Sequence, residues 1–572
     1  MRSKTPSGIQ RVQGEVTARL LDRPRTAMST RLVCHVADPP GWVEVPRRLF
    51  DALMAASGSG GGRDVAWQLL RAEIHALLTT ARASPPDGAV LLNLGSSWWL
   101  PNYLLAVREA REKSGLRYLP FVHDCIPLLR PDLCALGLPA QFLGWLAGAG
   151  LAADGMIAST AATAGQIQAA LADMAITPPP VSIVPLDARP RLAETTDGPH
   201  DHPAMPNRPY VLFVSTLERR KDHALAFRAW LDLAGKHSVE AVPQLVCVGN
   251  PGWRNEAAYG LYAGDPRLAG LVSFVSDIDD AGIKALYARC LCTLYPSLLE
   301  GWGLPVTESL SFGKIPIVAR TTGSMEAAGV FGEFFAPGSL AHLVAAVERV
   351  CFDVPYRIAA EARIAEGFRP RSWQAVADAF SDEIAATAAR PCQPASHRIA
   401  GLDRYFAFSS NRLLRPSTEV PMGEHLRSGS GWLSPEPWGC PTRPGTAEFV
   451  MPIPASRPAS LAVCLRNGGT AAISVTVSTA GGSASHVLRP GQTQWAGLAL
   501  NAGASPGGDG PVTIHSDSDG APGHSDRGVG VVGAMAQAGR NVGDCIRCAA
   551  ATQQARHLDA SSPGGRALTM LP

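Results

Sequence analysis

Residues 292–313 read CTLYPSLLEGWGLPVTESLSFG. CTLYPS is a short apolar run closed by turn residues, the pattern of a buried strand. Leu304-Pro305 then opens a helix that stops at Gly313. Proline suits a first turn, because its missing N–H would be unpaired there in any case. The turn 298–303 therefore lies at the carboxyl end of a strand and at a helix N-terminus. Free backbone N–H groups and the helix dipole make such a place receptive to anions. Two carboxylates bracket it, Glu300 before the helix and Glu308 one turn inside. One acid near a first turn merely offsets the dipole. Two of them around one glycine-rich turn are poorly explained that way.

The same alternation extends in both directions. YVLFVST, QLVCVGN, LVSFVSD, CTLYPS and IPIVAR read as strands between helical stretches such as DHALAFRAWLDLAGK and LAHLVAAVERVC. Upstream, RLVCHVA, AVLLNLG, YLPFVHD, GMIAS and VSIVPL alternate with helices such as NYLLAVREAREKSG. Apolar strands alternating with amphipathic helices predict doubly wound α/β domains with parallel sheets. The expected fold is α/β, with an N-terminal Rossmann-like domain over 1–190 and a second over 210–370. A polar, proline-rich linker at 191–209 joins them and a closing helix spans 371–390. Two such domains make a cleft, and ligands bind at the carboxyl ends of their strands. Composition shifts near 390. Pro, Gly and Trp clusters with alternating runs such as AISVTVST predict a β-sandwich-like accessory module over 400–500. Residues 501–572 are rich in Gly, Ser, Asp and Ala without period, which predicts disorder.

The bulk numbers set bounds on function. A chain of 572 residues is too long for one core, and 46% apolar with 17% charged residues describes a globular protein. A net charge of +2 directs the molecule to neither nucleic acid nor an anionic membrane. The twelve cysteines are scattered, several in apolar runs where a reduced thiol packs as a small hydrophobe. With no leader at the start, a reducing cytoplasm is expected. Cys545 and Cys548 form a lone CxxC, which lacks the partners zinc would need. No window predicts a membrane span. QFLGWLAGAGLAADGMIAS (141–159) is apolar enough to touch a bilayer, although burial against a sheet accounts for it as well.

The region around Glu300 and Glu308 resembles the signature of retaining glycosyltransferases of the GT-B fold, family 4, also called glycosyl transferase group 1. That signature is Glu, seven residues, Glu, around a Gly-x-Pro-type turn and a small-residue helix. The resemblance covers roughly residues 5 to 385 and implies a GT-B fold, two Rossmann-like domains facing a cleft. It implies that Glu300 contacts donor-sugar hydroxyls and Glu308 the nucleotide ribose. An ionised carboxylate accepts two hydroxyls, so a diol suits each. Backbone N–H groups of Gly303 and Leu304 would face the diphosphate or sugar. STLERRKDHALAF (215–227) is similar to the family's diphosphate-binding loop, with Arg220 and Lys221 as its cations. Fixed cations there stabilise charge on the leaving group as the glycosidic bond breaks. Many relatives carry Gly-Arg where this chain has Ser215-Thr216, so the pair 220–221 must supply the charge.

TPSGIQRVQGEVTARLL (5–21) is similar to the family's N-terminal glycine loop and helix, in which Gly8 lets the backbone approach the donor. Relatives open with a strand before this loop, and only MRSK stands in its place, so either the start codon is placed too late or the N-terminal sheet lacks an inner strand. PFVHDCIPL (120–128) has His123 at a strand end, where it resembles a donor-contacting histidine of many relatives and would bond the sugar or the acceptor hydroxyl, with Asp124 to orient it. Ser276 and Asp277, in the strand end VSDIDDAGIKAL, fall where relatives hold the base. Asp279 or Asp280 as a helix N-cap explains the Asp-x-Asp there better than a metal does, and no metal is expected.

The resemblance implies a retaining hexosyl transfer, mannose favoured, from a nucleotide-diphosphate sugar (GDP-mannose favoured). The acceptor would be a hydroxyl of a glycan or polyprenyl-linked oligosaccharide in bacterial surface polysaccharide synthesis. The enzyme would be cytoplasmic, with peripheral contact at the inner face of the plasma membrane. SGWLSPEPWGCPTRPGTAEFVMPIP (430–454) resembles a module appended to some such enzymes, in which Trp432 and Trp438 stack on sugars or simply fill a sandwich core. The alternatives are UDP-glucose or UDP-galactose transfer, and a non-catalytic sugar-binding scaffold of the same fold.

Overall fold

Tyr210–Val214, Gln244–Val248 and Val272–Val275 pair in parallel on one side of a six-stranded sheet. Cys292–Tyr295, Pro316–Ala319 and Glu333–Phe335 extend it on the other side, again in parallel. The chain order reverses between Tyr210–Val214 and Cys292–Tyr295. Loops diverge at that switch point, and a ligand can enter between them. Helices cover both faces, so the strands are apolar throughout: Val211, Leu212, Val246, Leu294 and Ile317 are fully buried.

The computed structural model describes residues 7–24, 28–57, 65–80, 82–135, 137–174, 176–187, 206–276, 278–391, 405–408, 419–420, 423–452, 459–500, 509–517 and 527–560. Most of the expected linker 191–209, Asp277 and residues 561–572 lie outside them.

In the N-terminal domain Val90–Asn93, Arg117–Val122, Met156–Ala158 and Val181–Ile183 form a four-stranded parallel sheet in chain order. The run RLVCHVA does not join it. Val33–Ala37 turns straight back at Asp38-Pro39 and pairs antiparallel with Pro40–Glu44. The turn gives its backbone an antiparallel partner within the next few residues, so its hydrogen bonds are met in the hairpin instead of in the sheet. The two domains together have the GT-B arrangement.

An apolar seam joins the domains. Helix Gly8–Leu21 supplies Val12, Val16 and Leu20, and helix Trp373–Ala389 supplies Trp373, Val376 and Phe380. They meet Phe121 and Ile157 of one sheet and Tyr295, Trp302 and Val306 beside the other. The expected closing helix thus crosses back to the first domain. Arg371 fastens its start, donating from Nε to Asp187 Oδ1 at 2.7 Å and from Nη2 to the Pro185 carbonyl at 2.7 Å.

The C-terminal module is a sandwich that extends beyond its expected boundary at 500. Asp509–Ser516 pairs with Gly445–Pro452 and Ile473–Thr479, and Gly530–Ala538 pairs with Ala459–Arg466. Helix Val542–Ala560 places Cys545 and Ala549 against Tyr405, Ala462 and Met535. The expectation of disorder from 501 is therefore wrong over these elements. The glycines that suggested it have a packing reason. A Cβ at Gly533 would fall 2.1 Å from the Tyr405 hydroxyl, and one at Gly530 would fall 2.2 Å from Trp438 Cη2. Trp432 is fully buried in the sandwich, with its indole N–H donating to the Glu448 carbonyl at 2.8 Å, so it stacks on no sugar.

Arg427 locks the module to the N-terminal domain. It is 1% exposed, donates to Asn102 Oδ1 at 2.8 Å, and its carbonyl accepts from Arg108 Nη2 at 2.7 Å. A chain ending at residue 500 would lose a fully buried strand from the middle of one sheet. We expect limited proteolysis to degrade that truncated module well before the two α/β domains, whereas in the full chain the strands Gly445–Pro452, Ala459–Arg466 and Gly530–Ala538 resist cleavage.

Candidate functional site

The loops diverging at the switch point line a cavity of about 600 Å³ between the two α/β domains. Gly8, His123, Arg220, Lys221, Ser276, Glu300, Gly303, Leu304 and Glu308 all border it. Asp277 lies outside the described residues.

Glu300 sits between two cations. Arg220 Nη1 donates to its Oε2 at 2.7 Å and to the Leu299 carbonyl at 2.9 Å, and Lys221 Nζ donates to Oε1. Arg220 Nη2 reaches Glu218 Oε1 at 2.6 Å, and the Glu218 side chain is only 3% exposed. Burial alone would raise the Glu300 carboxyl. Arg220 and Lys221 outweigh it and bring the group down to about 2. Burial and the neighbouring Arg220 lower the Lys221 ammonium, against the opposing pull of Glu300. Of an ammonium's three protons only one is committed here, whereas three of Arg220's five donors are engaged. Lys221 is therefore the cation with donors to spare.

Backbone geometry holds the Glu300 turn in place. Gly303 has φ 100°, in the left-handed region that favours glycine, and precedes helix Leu304–Ser311. A Cβ on Gly301 would lie 2.4 Å from the His123 carbonyl oxygen, so the turn and strand end could not approach as they do. The Ser159 hydroxyl is 3.4 Å from both the His123 and the Gly301 carbonyl oxygens.

Glu308 is 7% exposed and already partnered. Its Oε2 accepts the Tyr287 hydroxyl at 2.7 Å and its Oε1 accepts Arg11 Nη1 at 3.2 Å. Arg11 belongs to helix Gly8–Leu21, so this pair spans the cleft. Ser7 caps that helix in a capping box: its hydroxyl accepts from Gln10 N–H and its own N–H donates to Gln10 Oε1 at 2.8 Å. The Gly8 and Ile9 N–H groups remain outside the helix's own ladder, at the cavity wall.

His123 Nε2 lies 2.8 Å from the Leu94 carbonyl, which can only accept, so this nitrogen carries the proton and Nδ1 is the acceptor. Burial pushes the ring down to about 4, so it is neutral at pH 7. Asp124 does not orient it as expected. Its Oδ1 accepts from Ile126 N–H at 3.0 Å and starts the next short helix. Asp279 caps helix Asp280–Arg289 by accepting from Gly282 N–H at 2.8 Å. Residue reading missed Arg11, Tyr287 and the buried partner role of Glu218. Glu218 alone left a trace, two residues before Arg220.

A histidine depressed by burial makes the fold acid-sensitive. Below about pH 6.5 the unfolded chain takes up a proton that folded His123 refuses until about 4. Stability is therefore lost as pH falls through that window, by roughly 3 kcal/mol for this group. Asn at 123 keeps an N–H for Leu94 without titrating. We expect His123→Asn to remove about that much of the drop in urea-unfolding free energy between pH 7 and pH 4.

Residues 197–362 match the model of the family described as glycosyl transferases group 1. A stretch of 214 residues is 29% identical to the serotype-specific mannosyltransferase WbdA of Escherichia coli, covering 35% of this chain and 25% of that protein. Another of 165 residues is 27% identical to the O-antigen chain mannosyltransferase B of Escherichia coli, covering 29% of this chain and 42% of that one. The chain thus spans about a quarter of the length of the WbdA relatives it matches. Among solved structures, Anabaena Alr3699/HepE in complex with UDP-glucose overlays with a TM-score of 0.46 at 15% identity, covering 68% of this chain and 98% of that one. A UDP-forming α,α-trehalose-phosphate synthase from Burkholderia xenovorans overlays at 0.45 and 14% identity, covering 63% and 91%.

Proposed function

We propose that this chain, which carries a glycosyl transferases group 1 domain, moves a hexose from a nucleotide-diphosphate sugar to a hydroxyl with retention of configuration. The observation that carries this reading is the ionised Glu300, clamped by Arg220 and Lys221 in the same cavity as Glu308. Mannose is the favoured sugar and GDP-mannose the favoured donor, because the sequence relatives are mannosyltransferases. The acceptor is a glycan or polyprenyl-linked oligosaccharide. Among the described residues no helix is long and apolar enough to cross a membrane.

In this reading Glu308 holds the ribose diol. It has acceptor sites beyond those used by Tyr287 and Arg11, since a carboxylate offers about four. Ser276 lines the base end of the cavity. The diphosphate lies against Lys221 and the N-termini of the helices that begin at Gly8 and Leu304. Glu300 accepts hydroxyls of the donor sugar, and His123 Nδ1 accepts another. Glu300 is held too low in pKa to act as a general acid, and its cations hold it away from nucleophilic attack. The step is then a front-side displacement. The bond from C1 to the phosphate oxygen breaks, and the acceptor oxygen bonds C1 on the same face. Its proton passes to the departing phosphate. No metal is required, because fixed cations and helix termini meet the leaving charge; activity should survive chelation by EDTA.

Three variants test the assignment in a transfer assay from GDP-mannose. Glu300→Ala should lower kcat/KM by roughly a hundredfold to a thousandfold; unchanged transfer or donor hydrolysis would end the enzyme reading. Lys221→Ala should give a similar loss while remaining folded. Arg220→Ala should also destabilise the fold, by about 3 kcal/mol, because it leaves Glu218 buried without its cation. An inverted anomeric signal in the NMR spectrum of the product would rule out retention.

A further inference from the structure

Two tryptophans line the cavity among the described residues, and they differ sharply in exposure. Trp302 is 7% exposed, with its indole N–H 3.2 Å from the Thr307 hydroxyl. Trp253 is 45% exposed. It sits in the loop after strand Gln244–Val248, and that loop is laced to the segment leading into Arg220 and Lys221. Leu217 N–H donates to the Asn250 carbonyl at 3.0 Å, Gly252 N–H to Leu217 at 3.0 Å and Arg219 N–H to Trp253 at 3.3 Å. The close approach requires Gly252, where a Cβ would fall 2.9 Å from Thr216 Cγ2 and 3.0 Å from the Leu217 carbonyl.

The side chain then crosses to the other domain. Trp253 Nε1 donates to the Leu133 carbonyl at 3.2 Å, and the neighbouring Arg254 guanidinium donates to the Asp132 carbonyl. Those carbonyls belong to the turn Pro131–Leu133, which follows His123 and Asp124 by one short helix, Ile126–Leu129. The indole's one polar atom is thereby satisfied, and its orientation is fixed from both domains. What remains open is an aromatic ring face, the more exposed of the two tryptophans, in a cavity that also holds the Glu300 and Glu308 carboxylates. An apolar face beside hydroxyl-binding carboxylates matches a pyranose, which has a C–H face and a hydroxyl edge.

We propose that Trp253 is the stacking platform for the sugar ring of the acceptor, a hexopyranoside. This rests on the transferase reading of the cavity. Trp253's own bonds run to Leu133 and Arg219. They do not run to Ser276 or Glu308, which would hold the nucleoside. The ring is thus an exposed, oriented face of the cavity wall with no part in holding the nucleoside, and it suits the second substrate.

The test uses the full chain, with isothermal titration by GDP and UDP. The nucleotide complex is then titrated by saturation-transfer NMR with the methyl α-glycosides of mannose, glucose and galactose. The expected result is that one glycoside binds the wild-type complex. Trp253→Ala should weaken that binding roughly fivefold to tenfold while nucleotide affinity stays within about twofold. Trp253→Phe keeps a ring face but lacks the N–H that ties to Leu133, and it should retain most of the glycoside binding. If Phe behaves like Ala, the residue is only a strap between domains and the proposal fails. Loss of nucleotide affinity in Trp253→Ala would make the ring a base platform, and it also fails if no glycoside binds the wild-type complex. A wild-type chain that binds neither nucleotide would instead overturn the transferase reading beneath it.

Discussion

Glu300 stays ionised in a buried cleft because Arg220 and Lys221 hold it there, and much of the local structure follows from that requirement. A buried carboxylate without cations would neutralise or draw in water. The two cations come from the segment 219–221, which follows Tyr210–Val214, and the carboxylate from the turn after Cys292–Tyr295. Those strands are neighbours at the place where chain order reverses, so the pair forms across the switch point. Glu218 joins the set. Asp124 also faces Arg220 and Lys221, so two cations serve three neighbouring carboxylates before any ligand arrives.

The charged cluster also needs a rigid frame, because ion pairs in a low-dielectric site gain only when geometry is held. The apolar seam through Val12, Phe121, Trp302 and Phe380 supplies it by packing both domains and the closing helix into one core. Glycines then set how closely loops approach. At Gly301 and Gly323 an added Cβ would strike backbone atoms, of His123 in the first case and of the Glu300–Gly301 turn in the second. The turn bearing Glu300 is thus pressed between a strand end of one domain and a helix of its own. Few single substitutions in that layer could leave the carboxylate where it is.

The cleft was legible in the sequence for a physical reason. Parallel strands buried on both faces read as apolar runs, and a helix N-terminus at a strand end carries its own signature in Leu304-Pro305. The pair Glu300 and Glu308 stood out against uncharged surroundings. What escaped were features set by partners far along the chain. Arg11 meets Glu308 across 297 residues, and nothing local in GIQRV marks that contact. Val33–Ala37 reads as a parallel strand until the turn after it is considered. Gly530–Ala538 reads as low complexity because its small residues fit under Tyr405 and Trp438, aromatic rings supplied from elsewhere. Period and composition report a strand's own face, not the shape of what covers it.

The pairing in the cavity constrains how a ligand could enter it. Glu300 holds Arg220 and Lys221, and Glu308 holds Arg11 from the opposite domain, so binding exchanges partners without adding contacts to an empty wall. The exchange is unequal. Arg220 is pinned by Glu218, Glu300 and the Leu299 carbonyl, and moving it would strand a buried carboxylate. Lys221 is a flexible point charge with two protons uncommitted. Arg11 makes its longer contact from the opposite domain and is partly exposed. On the proposed reading, Arg220 therefore remains a fixed electrostatic element, and Lys221 and Arg11 are the side chains that turn toward the diphosphate. Glu300 and Glu308 are then released to accept hydroxyls at the moment the negative charge of the donor replaces their own.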